Sequence, residues 1–229
     1  MKIPKQVTGN QDKKDPIGGI FKEQLIVNAD YGKCHACAID DNGRCWVWGK
    51  NDLGQLGIQI RVDTVDSPRM VPGVEGFCTN CSCSDEATMC LVRKNKVKSF
   101  RSVVLFGFGD WKARALLHQR NRDVVSISCG KSICSYVTSL GELFVFDPKK
   151  DILISKHVHG TVENIHFTSC KVTNTRNFVL TRGGDCYEFN TYKNDKGNDV
   201  SCSKLQRVYG IKRASSIAAS DKHAMCVST

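Results

Sequence analysis

The sequence predicts an all-β protein made of repeated hairpins, arranged as in a β-propeller. Two observations carry this prediction: a short apolar strand recurs five times along the chain, and a strand with two aromatic residues follows it three times. Successive copies of the first strand are 43 to 52 residues apart, which is the period of propeller-like arrays. An isolated hairpin is only marginally stable, so the repetition predicts blades that pack against one another.

The first strand of each hairpin is recognised by its apolar residues. It reads "HACAI", "ATMCL", "ICSYV", "RNFVL" and "HAMCV", starting at His35, Ala87, Ile133, Arg176 and His223. Four positions after each start lies an aliphatic residue, and three positions before it lies a mostly small residue. Small residues at that point suit a tight approach of the backbone.

The second strand repeats in register with the first. The segments "GRCWVWG" (43–49), "GELFVFD" (141–147) and "GDCYEFN" (184–190) align residue for residue, with aromatic residues two positions apart. Alternation with a period of two indicates a strand, so we expect the rings to pack between blades. The segment "SVVLFG" (102–107) fits the same strand if "RKNKVKSFR" (93–101) is an insertion at the hairpin turn.

Composition narrows the class of protein further. The chain has 229 residues, 41% of them hydrophobic, which is typical of a globular protein. The N-terminal segment is polar and lacks the apolar stretch of a signal peptide, and no apolar run is long enough to span a membrane. We therefore expect an intracellular protein, nuclear or cytoplasmic, whose thirteen cysteines are reduced.

The net charge of +10 is concentrated in one segment. Residues 93–122 hold nine basic residues against the single acid Asp110, a net of +8. The basic residues are Arg93, Lys94, Lys96, Lys98, Arg101, Lys112, Arg114, Arg120 and Arg122. They form either solvated loops or a patch for nucleic acid, an acidic protein surface or anionic lipid. The first five belong to the inserted loop, and we predict that this loop is a binding element on one rim.

One repeat, residues 25–57, resembles the regulator of chromosome condensation (RCC) repeat. The family signature is matched at Gly32, His35, Gly43, Trp48, Gly49, Asn51, Gly54, Gln55 and Gly57. The four later repeats resemble it more weakly. This resemblance implies a β-propeller, usually of seven blades, and it gives the signature histidine a structural role in a turn. It also implies protein binding, with a Ran-like small GTPase as the family's best-known partner.

The repeats divide the chain into segments. We expect a polar N-terminal segment (1–24) and RCC-like repeats at about 25–70, 71–122, 123–160, 161–207 and, in part, 208–229. The propeller is thus incomplete or shortened relative to the family fold. The chain is a fragment or a short propeller, its N-terminal segment closes a smaller ring, or a partner chain completes it.

A cysteine-rich segment is the best metal candidate. Cys78, Cys81, Cys83 and Cys90 supply four thiols, and the two-residue gap of the first pair allows both sulfurs to reach one zinc ion. No second pair with matched spacing follows, and Cys90 falls at a repeat position that suits a small core residue. We therefore predict no metal and no cofactor.

Three functions follow from these patterns, and none involves covalent chemistry. The first is guanine-nucleotide exchange on a Ran-like small GTPase, as the resemblance implies. The second is a protein-interaction scaffold of the ubiquitin-ligase or trafficking type, without exchange activity. The third is association with chromatin or nucleic acid through the basic segment 93–122.

Overall fold

The computed structural model describes residues 24–94, 101–116, 122–150, 152–156, 165–173, 176–193, 200–211 and 213–228. These residues form antiparallel sheets that follow one another along the chain. Four sheets have four strands each and are the blades of a propeller, and a two-stranded sheet forms part of a fifth blade. The predicted all-β propeller of about five repeats is therefore confirmed, and no helix in the described residues is long and apolar enough to cross a membrane.

The strand bounds follow the repeat. Blade 1 comprises β1 (Ile26–Tyr31), β2 (His35–Asp40), β3 (Cys45–Lys50) and β4 (Thr64–Met70). Blade 2 comprises β5 (Phe77–Cys83), β6 (Ala87–Arg93), β7 (Arg101–Gly107) and β8 (Asp110–Ala115). Blade 3 comprises β9 (Val124–Cys129), β10 (Cys134–Thr138), β11 (Leu143–Asp147) and β12 (Ile152–Lys156). In these three blades the strands are hydrogen-bonded in chain order.

The last part of the chain departs from this regular order. Blade 4 comprises β13 (Phe167–Val172), β14 (Asn177–Thr181), β15 (Cys186–Phe189) and β18 (Gln206–Arg207). A separate two-stranded ribbon, β16 (Thr191–Lys193) and β17 (Val200–Cys202), lies between its third and fourth strands in the sequence. The fifth blade is the pair β19 (Ala214–Ala219) and β20 (Ala224–Ser228).

The sequence repeat corresponds to the second and third strands of each blade. An inner strand precedes them and pairs antiparallel with the second strand. Near the start of the inner strand in each of the five blades, the pairing skips one residue, after Ile26, Cys78, Val124, Phe167 and Ala214. Such a bulge increases the local twist of a strand, and its recurrence shows that the repeat extends to the backbone.

Consecutive blades pack face to face. The repeat position of a residue determines which of the two faces of the blade its side chain lies on. One face of the second strand packs on the following blade, as Met89 and Leu91 do in the core between blades 2 and 3. The rings of the third strand pack on the preceding blade, as Phe144 and Phe146 do in that same core. Side chains in a strand alternate between the two faces, so blades 2, 3 and 4 each contribute to two of the four described cores.

The predicted packing of rings between blades holds for blade 3 and differs in blade 1. Phe144 and Phe146 are fully buried, and Phe144 stacks on Tyr136 with ring centroids 4.8 Å apart. Trp46 and Trp48 occupy the same repeat positions but lie on the face of blade 1 that points away from blade 2, and both are partly exposed. Within the described residues no blade precedes blade 1, which explains the difference.

Candidate functional site

The inner strands of the blades line a central channel. Polar side chains on these strands accept hydrogen bonds from backbone N–H groups of the following blade. The pairs are Cys81 N to Asn28 Oδ1 (3.4 Å), Cys83 N to Asp30 Oδ2 (2.9 Å), Cys129 N to Ser82 Oγ (3.0 Å), Cys170 N to Ser126 Oγ (3.3 Å) and Val172 N to Ser128 Oγ (2.8 Å). These bonds recur at each junction from blade 1 to blade 4, so they satisfy the inner strands and hold neighbouring blades in register.

One end of the channel opens into a mouth of about 430 Å³. The turns between the first two strands of the blades form this mouth, and their backbones are alike. The N–H groups of Gly32, Ser84, Gly130 and Ser220 each donate to the carbonyl three residues later, at 2.9, 2.9, 3.0 and 2.8 Å. The residue that follows each of them also lines the mouth: Lys33, Asp85, Lys131 and Asp221. A constant backbone therefore presents alternating positive and negative side chains in blades 1, 2, 3 and 5.

The mouth also carries an exposed aromatic residue. Tyr31, at the end of β1, lines the opening and is 80% exposed. Lys33 and Lys131 are likewise exposed, whereas Asp30 is held in the channel wall by its hydrogen bond to Cys83. Sequence reasoning did not predict this site. The signal was available in the repeat alignment, because charge varies at the position that follows the small turn residue.

The signature residues of the first repeat join blade 1 to blade 2. His35 is buried, and its Nε2 lies 2.8 Å from the Thr88 hydroxyl, which in turn donates to the Gln55 carbonyl at 2.9 Å. Burial lowers the pKa of His35 to about 4, so the ring is neutral near pH 7. This environment gives His35 a structural role rather than that of a catalytic base.

The signature glycines lie where the two blades approach most closely. A Cβ on Gly32 would lie 1.8 Å from the Ser84 carbonyl oxygen, so no larger residue fits there. Gly54 has a φ of 75°, and a Cβ on it would lie 2.5 Å from the Asp110 carbonyl oxygen. Of the other glycines, Gly43 and Gly57 lie against rings of blade 2, and Gly49 packs on the backbone at the start of β2.

The polar signature residues Asn51 and Gln55 shape the loop between β3 and β4. Both are buried, and Asn51 accepts from the Leu56 N–H at 3.0 Å and donates to the Ile60 carbonyl at 3.2 Å. The Gln55 amide oxygen accepts from the Leu53 N–H at 2.8 Å. Trp48, the remaining signature residue, is partly exposed on the other face of blade 1. The signature thus encodes the structure of the blade and its junction.

The described ends of the predicted basic loop, Arg93–Lys94 and Arg101, lie at the end of blade 2 opposite the mouth. The loop joins β6 to β7, and β6 runs away from the mouth over about 20 Å. Lys94 is exposed and Arg93 is half-buried, while Lys96 and Lys98 fall outside the described residues. Arg101 is engaged within the protein: its Nε and Nη2 donate to the two carboxylate oxygens of Asp123, both at 3.0 Å. Among the described residues of the loop, Arg101 is therefore engaged with Asp123, whereas Lys94 is exposed.

The rest of the basic segment is dispersed. Lys112 is exposed on β8, and Arg114 on the same strand forms a 3.8 Å ion pair with Asp110 and donates to the Pro148 carbonyl. The Arg122 guanidinium lies 4.8 Å from the centroid of the Phe144 ring. Arg120 falls outside the described residues. Several of these cations are thus committed to contacts within the protein.

The cysteines of the predicted metal candidate lie in the core between blades 1 and 2. Cys78, Cys81, Cys83 and Cys90 are all buried, and all thirteen cysteines of the chain are free thiols. Only Cys90 belongs to the compact group of three sulfurs that the structure brings together; the other two are Cys37 and Cys45. Hydrogen bonding to Cys45 and Cys90 raises the pKa of the Cys78 thiol. Spacing in the sequence could not reveal the contributions of β2 and β3.

Comparison with known families agrees with this geometry. Models of the regulator of chromosome condensation (RCC1) repeat match residues 26–55 and 42–91, which cover blade 1, β5 and most of β6. Residues 26–91 therefore match the RCC1 repeat. The matched region contains all nine signature residues, so the predicted resemblance is confirmed.

Relatives with curated sequences are much longer than this chain. BTB/POZ domain-containing protein 1 of Schizosaccharomyces pombe is 26% identical over 248 residues, covering 89% of this chain and 18% of that protein. The human protein named "Probable E3 ubiquitin-protein ligase HERC3" is 28% identical over 133 residues, covering 55% of this chain and 13% of that protein. This chain therefore spans less than a fifth of the length of either relative.

Solved structures share the fold. Human WBSCR16 superposes with a TM-score of 0.73 at 16% identity, covering 90% of this chain and 58% of that one. Prp20p of Saccharomyces cerevisiae, described with its binding properties to Gsp1p and histones, superposes with a TM-score of 0.54 at 14% identity, covering 89% of this chain and 69% of that one. At these identities the likeness concerns architecture alone.

Proposed function

We propose that this chain is a non-catalytic protein-binding module, and that the mouth of its channel contacts the partner. The observation that carries the proposal is the set of turns in blades 1, 2, 3 and 5, which share one backbone hydrogen bond and present side chains that differ from blade to blade. A rigid scaffold that presents variable side chains is the usual arrangement of a binding site on a propeller.

The chemistry of the mouth favours a protein surface over a nucleic acid. Lys33 and Lys131 alternate with Asp85 and Asp221, and Tyr31 adds an exposed ring. Nucleic acid binding depends on accumulated positive charge, which the two carboxylates oppose. Protein interfaces instead combine aromatic side chains with a charged rim whose potential complements that of the partner.

The longer relatives support the scaffold form of this function. HERC3 and the BTB/POZ protein each contain the similar region within a chain more than five times its length. A propeller that supplies recognition to a larger assembly fits this arrangement, and the partner is then selected by the mouth. The ubiquitin-ligase name of HERC3 makes a ligase-associated scaffold the first form to test.

Guanine-nucleotide exchange on a Ran-like small GTPase is the second candidate. Its support is the repeat family, together with the described binding of Prp20p to Gsp1p and histones. An exchange factor acts by binding alone. It binds most tightly to the conformation of the GTPase that has low affinity for nucleotide, and so it accelerates nucleotide release. No described residue is assigned to this step, so the activity itself must be measured.

Chromatin or nucleic-acid association through segment 93–122 is the third candidate. Lys94 and Lys112 are its exposed described cations, whereas Arg101 contacts Asp123. This mode has its own signature, because an affinity that rests on phosphate contacts falls steeply as salt rises. Binding to a DNA duplex at two salt concentrations separates it from the mouth-based modes.

Two charge-matched variants test the location of the site. Lys33→Glu with Lys131→Glu reverses two charges at the mouth, and Lys94→Glu with Lys112→Glu reverses two on other surfaces. We expect the mouth variant to lose at least about tenfold in affinity for a captured protein partner, equivalent to about 1.4 kcal/mol, with the control unchanged. Equal losses in both variants, or a loss confined to the control, would place binding elsewhere.

Release of fluorescent nucleotide from Ran, with these same proteins at several concentrations, decides between the two protein-binding forms. Acceleration by the wild-type chain that disappears in the mouth variant supports exchange through the mouth. Binding to Ran without acceleration supports a scaffold. Absence of both, from a folded sample, removes Ran as the partner.

A further inference from the structure

Three thiols converge in the core between blades 1 and 2. Cys37 on β2, Cys45 on β3 and Cys90 on β6 have sulfur atoms that all lie within 4.8 Å of one another. The Cys37–Cys45 and Cys45–Cys90 sulfur distances are both 3.4 Å, and none of the three residues is more than 3% exposed. The group therefore draws on two blades and is closed to solvent.

The fold itself does not require cysteine at these positions. The position of Cys90 holds Ala38 in blade 1, Tyr136 in blade 3, Val179 in blade 4 and Cys226 in blade 5. The position of Cys37 holds Met89 in blade 2 and Phe178 in blade 4, and that of Cys45 holds Leu143 in blade 3 and Cys186 in blade 4. The same backbone thus accepts side chains from alanine to tyrosine. Two of the positions hold cysteine again in blades 4 and 5, but among the described blades all three do so together only at the junction between blades 1 and 2.

We propose that Cys37, Cys45 and Cys90 form a buried binding site for a soft monovalent metal ion, Cu⁺. Thiolate sulfur is the preferred ligand of soft ions such as Cu⁺. Metal–sulfur bonds of about 2.3 Å hold the sulfurs of a trigonal or tetrahedral site roughly 3.8–4.0 Å apart. The observed sulfurs are already close to that spacing, and small rotations of the side chains suffice to reach it.

The surroundings favour a single positive charge on the ion. The core around the sulfurs is apolar, with Ile39, Val47 and Phe106 among its members. In the described part of the chain, no backbone N–H donates to these three sulfurs. Cu⁺ binding with release of one or two thiol protons leaves a site that is neutral or carries one negative charge. Zn²⁺ with four thiolates would leave two buried negative charges without donors, which is far more costly.

A metal ion bound at this site would stabilise the junction between blades 1 and 2. Two ligands come from blade 1 and one from blade 2, so the bound ion stabilises their junction as any ligand of the native state does. Entry to a closed core requires loading during folding or during a local opening, as for structural metal sites in general.

The test uses the full chain, reduced and free of oxygen, titrated with Cu⁺ against a competing chelator. We expect one ion per chain and a higher melting temperature. Cys90→Ala should weaken binding by at least about tenfold, because changes outside a ligand shell already cost 10- to 100-fold. Alanine fits this repeat position, as Ala38 shows. Cys170→Ala, which removes a buried thiol from the core between blades 3 and 4, should bind Cu⁺ as the wild type does.

The outcomes separate cleanly. Loss in Cys90→Ala and in a second variant, Cys45→Ala, with retention in Cys170→Ala, supports the site. Equal binding by the wild type and Cys90→Ala would overturn it, since the ion would then occupy other thiols. Absence of stoichiometric binding by the folded wild type would also overturn it. Displacement of Cu⁺ by equimolar Zn²⁺, abolished by Cys78→Ala, would replace it with a four-thiolate zinc site.

Discussion

Two neighbouring blade junctions share one backbone and are packed in different ways. Between blades 1 and 2, six of fourteen buried core residues are cysteines, and Phe106 is the one ring among them. Between blades 2 and 3, Tyr136, Phe144 and Phe146 form a cluster of stacked and tilted rings. The repeat therefore fixes where a side chain points and leaves its identity open.

The polar links across the two junctions also differ. Blade 1 is joined to blade 2 by a buried neutral contact between His35 and Thr88. Blade 2 is joined to blade 3 by partly exposed ion pairs, Arg101 with Asp123 at 3.0 Å and Lys149 with Glu86 at 2.9 Å. We therefore expect the stability of the first junction to depend on pH and on soft metal ions. The stability of the second junction should depend on its aromatic rings and on salt concentration.

Truncation of a ring at the second junction should have the largest effect. Phe144→Ala removes a fully buried ring that stacks on Tyr136, so we expect a loss of about 3–5 kcal/mol in the free energy of unfolding. Chemical denaturation of the two proteins measures this loss. Trp46→Ala changes the equivalent residue of blade 1, which is partly exposed, and should cost clearly less.

Phe144→Ala and Trp46→Ala together test which blade faces are buried. If Trp46→Ala costs as much as Phe144→Ala, the outward face of blade 1 is buried in the molecule in solution. If Phe144→Ala costs little, the core between blades 2 and 3 is not the tightly packed junction described above.

Much of this organisation could be predicted from the sequence, for a physical reason. Alternation of apolar residues sets which strands form, and glycine at positions of close approach, such as Gly32, sets how blades meet. These are local requirements, so they survive in the degenerate repeats. The predicted segments of the chain are compatible with the strand bounds and remain a prediction about its domains.

The sites were predicted less well because they depend on contacts between distant residues. The sequence predicts that Arg101 belongs to the basic loop, yet in the structure it contacts Asp123, 22 residues away. The sequence groups Cys90 with the nearby Cys78, Cys81 and Cys83, yet its sulfur lies 3.4 Å from that of Cys45, 45 residues away. Only the pairing of blades determines such groupings. The binding roles of Lys94, Lys96 and Lys98 stay predictions.

Low pH should destabilise the junction between blades 1 and 2, and this is the second largest effect that we expect. The pKa of His35 is about 4 in the folded protein and 6.5 in the unfolded chain, so the unfolded chain binds more protons between these values. Stability present above about pH 6.5 is therefore lost as the pH falls towards 4, by about 3 kcal/mol. We expect His35→Gln to flatten the pH dependence of unfolding by about this amount.

His223→Gln is the matched control, because His223 occupies the same repeat position in blade 5 and is exposed. Its pH profile should follow that of the wild type. A wild-type slope that persists in His35→Gln would assign the acid sensitivity to the carboxylates instead of the junction.

Loss of an ion pair at the second junction should have the smallest effect. Arg101→Ala removes two hydrogen bonds to Asp123 whose partners are about a quarter exposed, so we expect a loss of about 1 kcal/mol that shrinks at high salt. Arg176→Ala removes a similar fork to Glu188, but that fork lies on exposed surface within one blade. Denaturation at low and high salt compares them. A larger loss in the free energy of unfolding from Arg101→Ala would show that an ion pair between two blades stabilises the protein more than one within a blade. Equal losses would mean that the aromatic rings, and not the ion pair, stabilise the junction between blades 2 and 3.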